Sequence, residues 1–274
     1  MDEAGRIASV TDPYGKTVGY EWGSMGEREA VLYPDGKKTV YEYNEAMQMS
    51  AMKIFSGEMR EKTIRYSYDE FGRMIGKQLP GGNYTDYRYN AAGKLEEILH
   101  KGADFTERCH YSYDVMGNKV MAEKERPGLP EDSGSFSYCY DALNRLTSVA
   151  QNGQTLRTYS YDAFGNRSSK TEYQTAGGLV TTYRYNTRNQ LLQETNANGT
   201  KDYAYDHRGN LLSVTSGEEV LRAYGFDAAN QMNSSMGMTD GQIKKAVYQY
   251  NGLGHRMEQS IAAGDAAPEH TIRY

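Results

Sequence analysis

The feature that most constrains this chain is a short motif repeated along its length. Two aromatic residues separated by one residue are followed directly by Asp or Asn and, three positions later, usually by Gly. Eleven copies start 20 to 27 residues apart, about 23 on average, and they contain most of the 25 tyrosines. The clearest copies contain Tyr66, Tyr68, Asp69, Gly72 and Arg73; Tyr87, Tyr89, Asn90 and Gly93; Tyr159, Tyr161, Asp162 and Gly165; and Tyr203, Tyr205, Asp206 and Gly209. So short a period predicts a repeat fold.

The order of residues within one copy predicts a strand, a tight turn and a second strand. Aromatics two positions apart point to the same face of a strand, because side chains alternate. Asp or Asn at the first turn position and Gly at the fourth are typical of a type I turn, and Gly or Asn tolerates the positive φ of a following bulge. Further turn signals separate the copies: Pro34-Asp35-Gly36, Pro80-Gly81-Gly82, Asn152-Gly153, Asn198-Gly199, Ser216-Gly217 and Asp240-Gly241.

These units predict an all-β fold, a continuous antiparallel strip of β-hairpins with about 23 short strands. We expect one array over residues 1–274, with about eleven full repeats. Both ends fall within a repeat, because residues 2–7 match the second half of a copy and residues 271–274 match Thr63–Tyr66. A sheet this long should twist and curl, as part of a spiral shell would, with one tyrosine-rich face and one mixed polar face.

Residues 44–55 are open to a second interpretation. An Asn cap followed by Glu, Ala, Met and Gln favours a helix by local propensity. The register of the repeats instead places a turn at Asn44–Met47. We favour the turn, because the other copies are in register.

Composition excludes several classes of protein. Disordered proteins typically have few aromatic residues and a high net charge. This chain of 274 residues has 12% aromatic residues and a net charge of only −5, so it does not fit that class. No apolar stretch is long enough for a membrane span, and no signal peptide is visible. An acidic balance argues against a nucleic-acid surface, and two cysteines do not make a disulfide scaffold.

No catalytic, cofactor-binding or metal-binding residue is predicted, and we do not expect an enzyme or a cofactor. The five histidines lie at unrelated positions of the repeat and lack zinc-ligand spacing. Cys109 and Cys139 fall on opposite faces by strand parity, which makes a disulfide improbable. The repeated aspartates could be calcium ligands, but their period favours turn capping.

The copies resemble the YD repeat of the Rhs family, which includes bacterial polymorphic toxins, cage-forming Tc toxin subunits, wall-associated proteins and teneurins. The resemblance covers essentially the whole chain. It implies a hollow β-shell, flanking repeats and a C-terminal toxin domain of the same polypeptide as partners, and a secreted or cell-surface location. The self-cleavage motif of bacterial members is missing, since Asp12-Pro13-Tyr14-Gly15-Lys16 reads as an ordinary turn.

Two functions therefore remain open. The first is a structural segment of a toxin-enclosing shell, and the second is a cell-surface adhesion or glycan-binding module. Tyrosine rings suit the second because they can stack on sugar rings.

Overall fold

The computed structural model describes residues 1–57, 61–173, 177–239, 242–264 and 266–273. Within them the chain forms 24 β-strands, one 3₁₀ turn at Pro130–Asp132 and no α-helix. The strands are β1 (Ser9–Thr11), β2 (Thr17–Trp22), β3 (Arg28–Leu32), β4 (Lys38–Tyr43), β5 (Met49–Phe55), β6 (Glu61–Tyr68), β7 (Met74–Gln78), β8 (Tyr84–Tyr89), β9 (Leu95–Lys101), β10 (Thr106–Tyr113), β11 (Lys119–Glu125), β12 (Gly134–Tyr140), β13 (Leu146–Gln151), β14 (Gln154–Tyr161), β15 (Arg167–Glu172), β16 (Leu179–Tyr185), β17 (Leu191–Asn196), β18 (Gly199–Tyr205), β19 (Leu211–Ser216), β20 (Glu219–Phe226), β21 (Met232–Thr239), β22 (Gln242–Tyr250), β23 (Arg256–Ala263) and β24 (His270–Arg273). The predicted all-β fold is confirmed.

The strands belong to one sheet, and from β1 to β12 and from β14 to β24 each strand pairs antiparallel with the next one in the chain. The chain divides into two compact units, Met1–Asn144 with Ala150–Gln154, and Arg145–Val149 with Thr155–Tyr274. Five predicted inter-repeat turns fall at strand junctions. The sixth, at 240–241, lies outside the described residues, as does Tyr274.

The two faces of the sheet differ, as predicted. The tyrosine face carries the first aromatic of each copy, which we call the first-slot tyrosines: Tyr20, Tyr41, Tyr66, Tyr87, Tyr111, Tyr138, Tyr159, Tyr183, Tyr203, Tyr224 and Tyr248. Seven of the eleven buried residues in the described part share that face: Val31, Thr39, Thr85, Ala122, Phe136, Thr181 and Val214. Each lies directly across from a first-slot tyrosine or two residues before one. These residues pack the sheet along a line of tyrosines.

A single sheet layer leaves much of its surface in water. The chain exposes 17728 Å², against about 12,000 Å² for a compact monomer of this size. Large apolar side chains at several turns are exposed: Met25, Phe71, Val115, Met116, Leu143, Phe164 and Leu253. The sheet therefore has no thick apolar core.

The ambiguous segment at residues 44–55 forms a hairpin. Met47 has φ 60°, its N–H donates to the Asn44 carbonyl at 2.9 Å, and β5 starts at Met49. The turn predicted from register is confirmed, and the helix interpretation is wrong.

None of the helical structure in the described residues has the length and apolarity that a membrane crossing requires.

Candidate functional site

The repeated turn has the same geometry in all eleven copies. Its first residue, the cap, is Asp or Asn except at Gly23, and the residue three positions later has φ between 59° and 97°. We call this second residue the left-handed position: Gly26, Met47, Gly72, Gly93, Gly117, Asn144, Gly165, Asn189, Gly209, Asn230 and Gly254. Its N–H donates to the cap carbonyl in every copy, as from Gly72 to Asp69 at 3.0 Å. The predicted turn and left-handed residue are confirmed.

The cap side chain holds the turn through the backbone. Oδ1 of Asp69 accepts the N–H groups of Phe71 at 3.0 Å and Arg73 at 2.9 Å. Oδ1 of Asn90 accepts those of Ala92 and Lys94 in the same way, at 3.0 Å. One carboxylate or amide oxygen is sufficient, which explains why both residue types occupy the cap.

In several turns the second polar atom of the cap pairs with the residue after the left-handed position. We call that residue the exit residue: Arg6, Glu27, Gln48, Arg73, Lys94, Asn118, Arg145, Asn166, Gln190, Asn210, Gln231 and His255. At Asp caps such as Asp206, Oδ2 accepts from the exit side chain, here Asn210 at 2.8 Å. The Asn caps Asn44 and Asn186 instead donate through Nδ2 to the Oε1 of a glutamine exit, at 2.9 and 2.7 Å. This donor–acceptor match was not predicted from the sequence.

The second aromatic of each copy joins that copy to the preceding one. These second-slot aromatics are Trp22, Tyr43, Tyr68, Tyr89, Tyr113, Tyr140, Tyr161, Tyr185, Tyr205, Phe226 and Tyr250. Nine of them donate to the carbonyl two residues after the left-handed position of the preceding copy: Trp22 to Ile7, Tyr43 to Arg28, Tyr68 to Met49, Tyr89 to Met74, Tyr113 to Leu95, Tyr140 to Lys119, Tyr161 to Leu146, Tyr185 to Arg167 and Tyr250 to Met232. We call this contact the tyrosine lock.

The strand register explains why the lock is needed. The ladder between β7 and β8 begins at Gly76, two residues beyond the Met74 carbonyl that Tyr89 binds. The ladder between β15 and β16 likewise begins at Ser169, two residues beyond Arg167. The strands separate towards the turns, and the phenol hydroxyl supplies the hydrogen bond that the ladder no longer provides.

Cations lie against the aromatic rings of neighbouring copies. Arg73 lies over Tyr89 with its Cζ 4.6 Å from the ring centroid, and Arg145 lies over Tyr161 at 4.7 Å. Lys119 lies between two first-slot tyrosines, with its Nζ 5.2 Å from the Tyr111 ring and 4.9 Å from the Tyr138 ring. These contacts connect copy to copy.

The titration of these groups follows from their contacts. A hydrogen bond from the Asn210 side chain is the main reason why the pKa of Asp206 lies below its usual value. Burial, with Glu194 adjacent, raises the pKa of Tyr203 to about 12, and the Tyr203 hydroxyl lies 3.2 Å from Glu194 Oε2. Tyr203 therefore remains neutral at ordinary pH.

The predicted motif residues occupy equivalent places in their four copies. The copies at residues 66–73 and 87–93 are adjacent and meet through Arg73 and Tyr89. The copies at 159–165 and 203–209 do not meet, because the copy at Tyr183 lies between them in the strand order.

Other chemistry-bearing residues are scattered. Cys109 shares the face of Tyr111, while exposed Cys139 lies on the other face, and both are free thiols. Across the described ranges, no group of three or more His, Cys, Asp or Glu side chains is placed to hold a metal ion.

Comparison with known proteins points to one group. A family model described as Teneurin YD-shell matches residues 113–266. A nuclease named tRNA3(Ser)-specific nuclease WapA, from Bacillus spizizenii, is 32% identical over 170 residues, which cover 60% of this chain and 6% of that protein. Human Teneurin-1 is 28% identical over 155 residues, covering 56% of this chain and 5% of that protein. The chain thus spans about 6% of the length of the curated relatives it matches.

Solved structures show the same fold. The crystal structure of TcdB2-TccC3 superposes over 98% of this chain and 16% of that chain, with a TM-score of 0.66 and 12% sequence identity. The Tc holotoxin pore of Photorhabdus luminescens superposes with a TM-score of 0.65 and 12% identity. At this identity the similarity establishes the fold alone.

Proposed function

Because this chain belongs to the Teneurin YD-shell family, we propose that it is a structural segment of a β-shell that encloses a C-terminal toxin domain of the same polypeptide. The membership confirms the resemblance to YD-repeat proteins seen in the sequence. The observation that carries the proposal is the single-layer sheet, in which copy after copy is joined by tyrosine locks. Such a sheet extends by adding copies, which suits a wall.

Flanking repeats are the proposed partners of this segment. The chain corresponds to only 16% of the Tc toxin chain that it superposes on. A single sheet with exposed apolar side chains at its turns gains burial when more of the same strip surrounds it. A secreted or cell-surface location and a toxin partner are further parts of the proposal.

We further propose that this segment has no catalytic role. The curated relatives named as tRNA nucleases match it over only 6% of their length, and we propose that the activity in their names belongs to the rest of those proteins. The side chains described above stabilise turns and strands, and each has a structural partner.

Electron microscopy of the full-length protein that contains this segment tests the shell. We expect a hollow particle, with the C-terminal domain protected from added protease until the particle is opened. Substituting Ala122→Asp, which places a charge at a fully buried position, should expose that domain, whereas the control Ser137→Asp on the other face should not. A rod or a solid globule would refute the shell.

A second candidate, glycan binding, is favoured by one feature. A cleft of about 430 Å³ lies between neighbouring copies and is lined by Arg188, Gln190, Tyr203, Tyr205 and Asp206. A glycan array should then show specific binding that Arg188→Ala abolishes. The absence of any specific glycan would remove this candidate and leave the shell proposal intact.

A further inference from the structure

In eight of eleven successive pairs the exit residue lies against the left-handed position of the next turn along the sheet. Asn118 Nδ2 donates to Asn144 Oδ1 at 2.8 Å, and Asn166 Nδ2 donates to Asn189 Oδ1 at 3.0 Å. The third such pair is Asn210 with Asn230. The three left-handed asparagines are thus each held by an asparagine of the preceding copy.

Longer exit side chains face glycine instead. Gln48 Nε2 lies 2.9 Å from the place where a Cβ at Gly72 would stand, and Gln231 Nε2 lies 2.8 Å from the corresponding point at Gly254. Lys94 Nζ overlaps the Cβ position of Gly117. In these turns the exit side chain of the preceding copy occupies the space that a side chain at the left-handed position would need. Arg73 and Gln190 approach the corresponding points at Gly93 and Gly209 to 3.4 and 3.3 Å, whereas nothing lies within 4 Å of those at Gly26 and Gly165.

The pattern holds across the described residues. Of eleven successive pairs, three match an Asn exit with Asn, seven match another exit residue with Gly, and one matches Glu27 with Met47. The seven pairs with Gly are Arg6–Gly26, Gln48–Gly72, Arg73–Gly93, Lys94–Gly117, Arg145–Gly165, Gln190–Gly209 and Gln231–Gly254. In these pairs an Asn exit never faces Gly, and no other exit residue faces Asn.

We infer that the exit residue specifies which turn can follow it, so that neighbouring copies recognise each other through a two-residue code. An Asn exit is short enough to leave room for a side chain and donates a hydrogen bond to it, which offsets the strain of a β-carbon at positive φ. A longer exit that fills that space, as Gln48, Lys94 and Gln231 do, requires Gly. The code makes copies non-interchangeable and disfavours pairing with the wrong neighbour. It is independent of what a shell contains.

A double-mutant cycle on the full chain tests the code. The variants are Asn166→Gln, Asn189→Gly and the two combined, which reproduces the natural arrangement of Asp227, Gln231 and Gly254. With Asn189 present, Asn166→Gln should raise the opening equilibrium of the turn at 186–190 by about fivefold, measured by hydrogen exchange. In the Asn189→Gly background the same change should have less than about a twofold effect.

The control combines Asn166→Gln with Asn230→Gly, which lies three turns further along the chain. The effects of these two changes should be independent. The reverse cycle, Gly254→Asn with Gln231→Asn, keeps the test decisive if one variant does not fold. Gly254→Asn alone should raise the opening equilibrium of its turn, and adding Gln231→Asn should lower it again. Equal effects of Asn166→Gln in both backgrounds, or no rescue in the reverse cycle, would overturn the code.

Discussion

At the scale of single residues, the second-slot tyrosine has two functions. Its ring packs along the sheet, and its hydroxyl closes the backbone where the strands separate, as Tyr161 does with the Leu146 carbonyl at 2.8 Å. Phe226 occupies the same slot without a hydroxyl. The ring is therefore sufficient for a turn to form, and the hydroxyl adds the link to the preceding copy.

Removing one lock should weaken the protein measurably. Tyr161→Phe is expected to lower the free energy of unfolding by about 1 kcal/mol, because the Leu146 carbonyl loses its donor. Phe226→Tyr should raise it by a similar amount. Urea denaturation measures both, with Tyr159→Phe as the control, since that hydroxyl makes no hydrogen bond with the described residues. A loss as large for Tyr159→Phe would contradict the lock.

The aspartate caps should make part of the stability depend on pH. The pKa of Asp206 is lowered in the folded protein, chiefly by Asn210. Its contribution is thus present above its unfolded pKa of about 3.9 and is lost as the pH falls through the folded value. Asp206→Asn should therefore reduce the loss of unfolding free energy between neutral and acidic pH, measured by urea denaturation at several pH values.

The same substitution should also lower stability at pH 7. An amide at position 206 would present its NH₂ to the Asn210 NH₂, and turning Asn210 would break its bond to Asn230. In the neighbouring copy Asn186 donates to the Oε1 of Gln190. A glutamine at position 210 should therefore restore a hydrogen bond to Asn at position 206. An unchanged loss of unfolding free energy at acidic pH would show that the carboxylate is not linked to folding.

At the scale of one element, the turn dominates local propensity. Residues 44–55 favour a helix by composition, yet they form a hairpin because β4 and β5 pair with their neighbours in the repeat register. The turn tolerates Met47 at φ 60°, where the ten other copies have Gly or Asn. Tertiary pairing therefore overrides a weak local signal.

This turn should be improvable. Met47→Gly is expected to raise the free energy of unfolding by about 1 kcal/mol, because it removes a β-carbon from the left-handed conformation. Thermal and urea unfolding measure the change. Gly72→Ala, at φ 79° beneath Gln48, should act in the opposite direction. A destabilised Met47→Gly variant would show that the Met side chain outweighs the backbone strain.

At the scale of the whole molecule, strands pair with their neighbours in sequence, as β10 does with β9 and β11. Stability in such an arrangement is approximately a sum over copies and their interfaces. Ala122, fully buried between Tyr111 and Phe136, belongs to one such interface. A substitution that disrupts this interface should therefore destabilise the strands around Ala122 and leave distant copies unchanged.

Hydrogen exchange can test this locality. Ala122→Asp should lower the opening free energy of β10 to β12 by about 3 kcal/mol or more, because it buries an unpaired carboxylate. Protection of β16 to β20 should be unchanged. Ser137→Asp, on the exposed face, is the matched control. A uniform loss of protection in all strands would show that the chain unfolds as one cooperative body.

Local patterns were enough to predict the hairpin unit, its turn and the two unlike faces, because strand alternation and left-handed turn residues act within a few positions of the chain. They could not show that Tyr89 reaches the Met74 carbonyl, that Asn166 holds Asn189, or that Asn186 donates to its exit residue where Asp206 accepts. Those contacts join residues 15 or more positions apart, or depend on which polar atom faces which. They follow from the strand register and from the separation of the strands near the turns, and neither can be read from a local pattern.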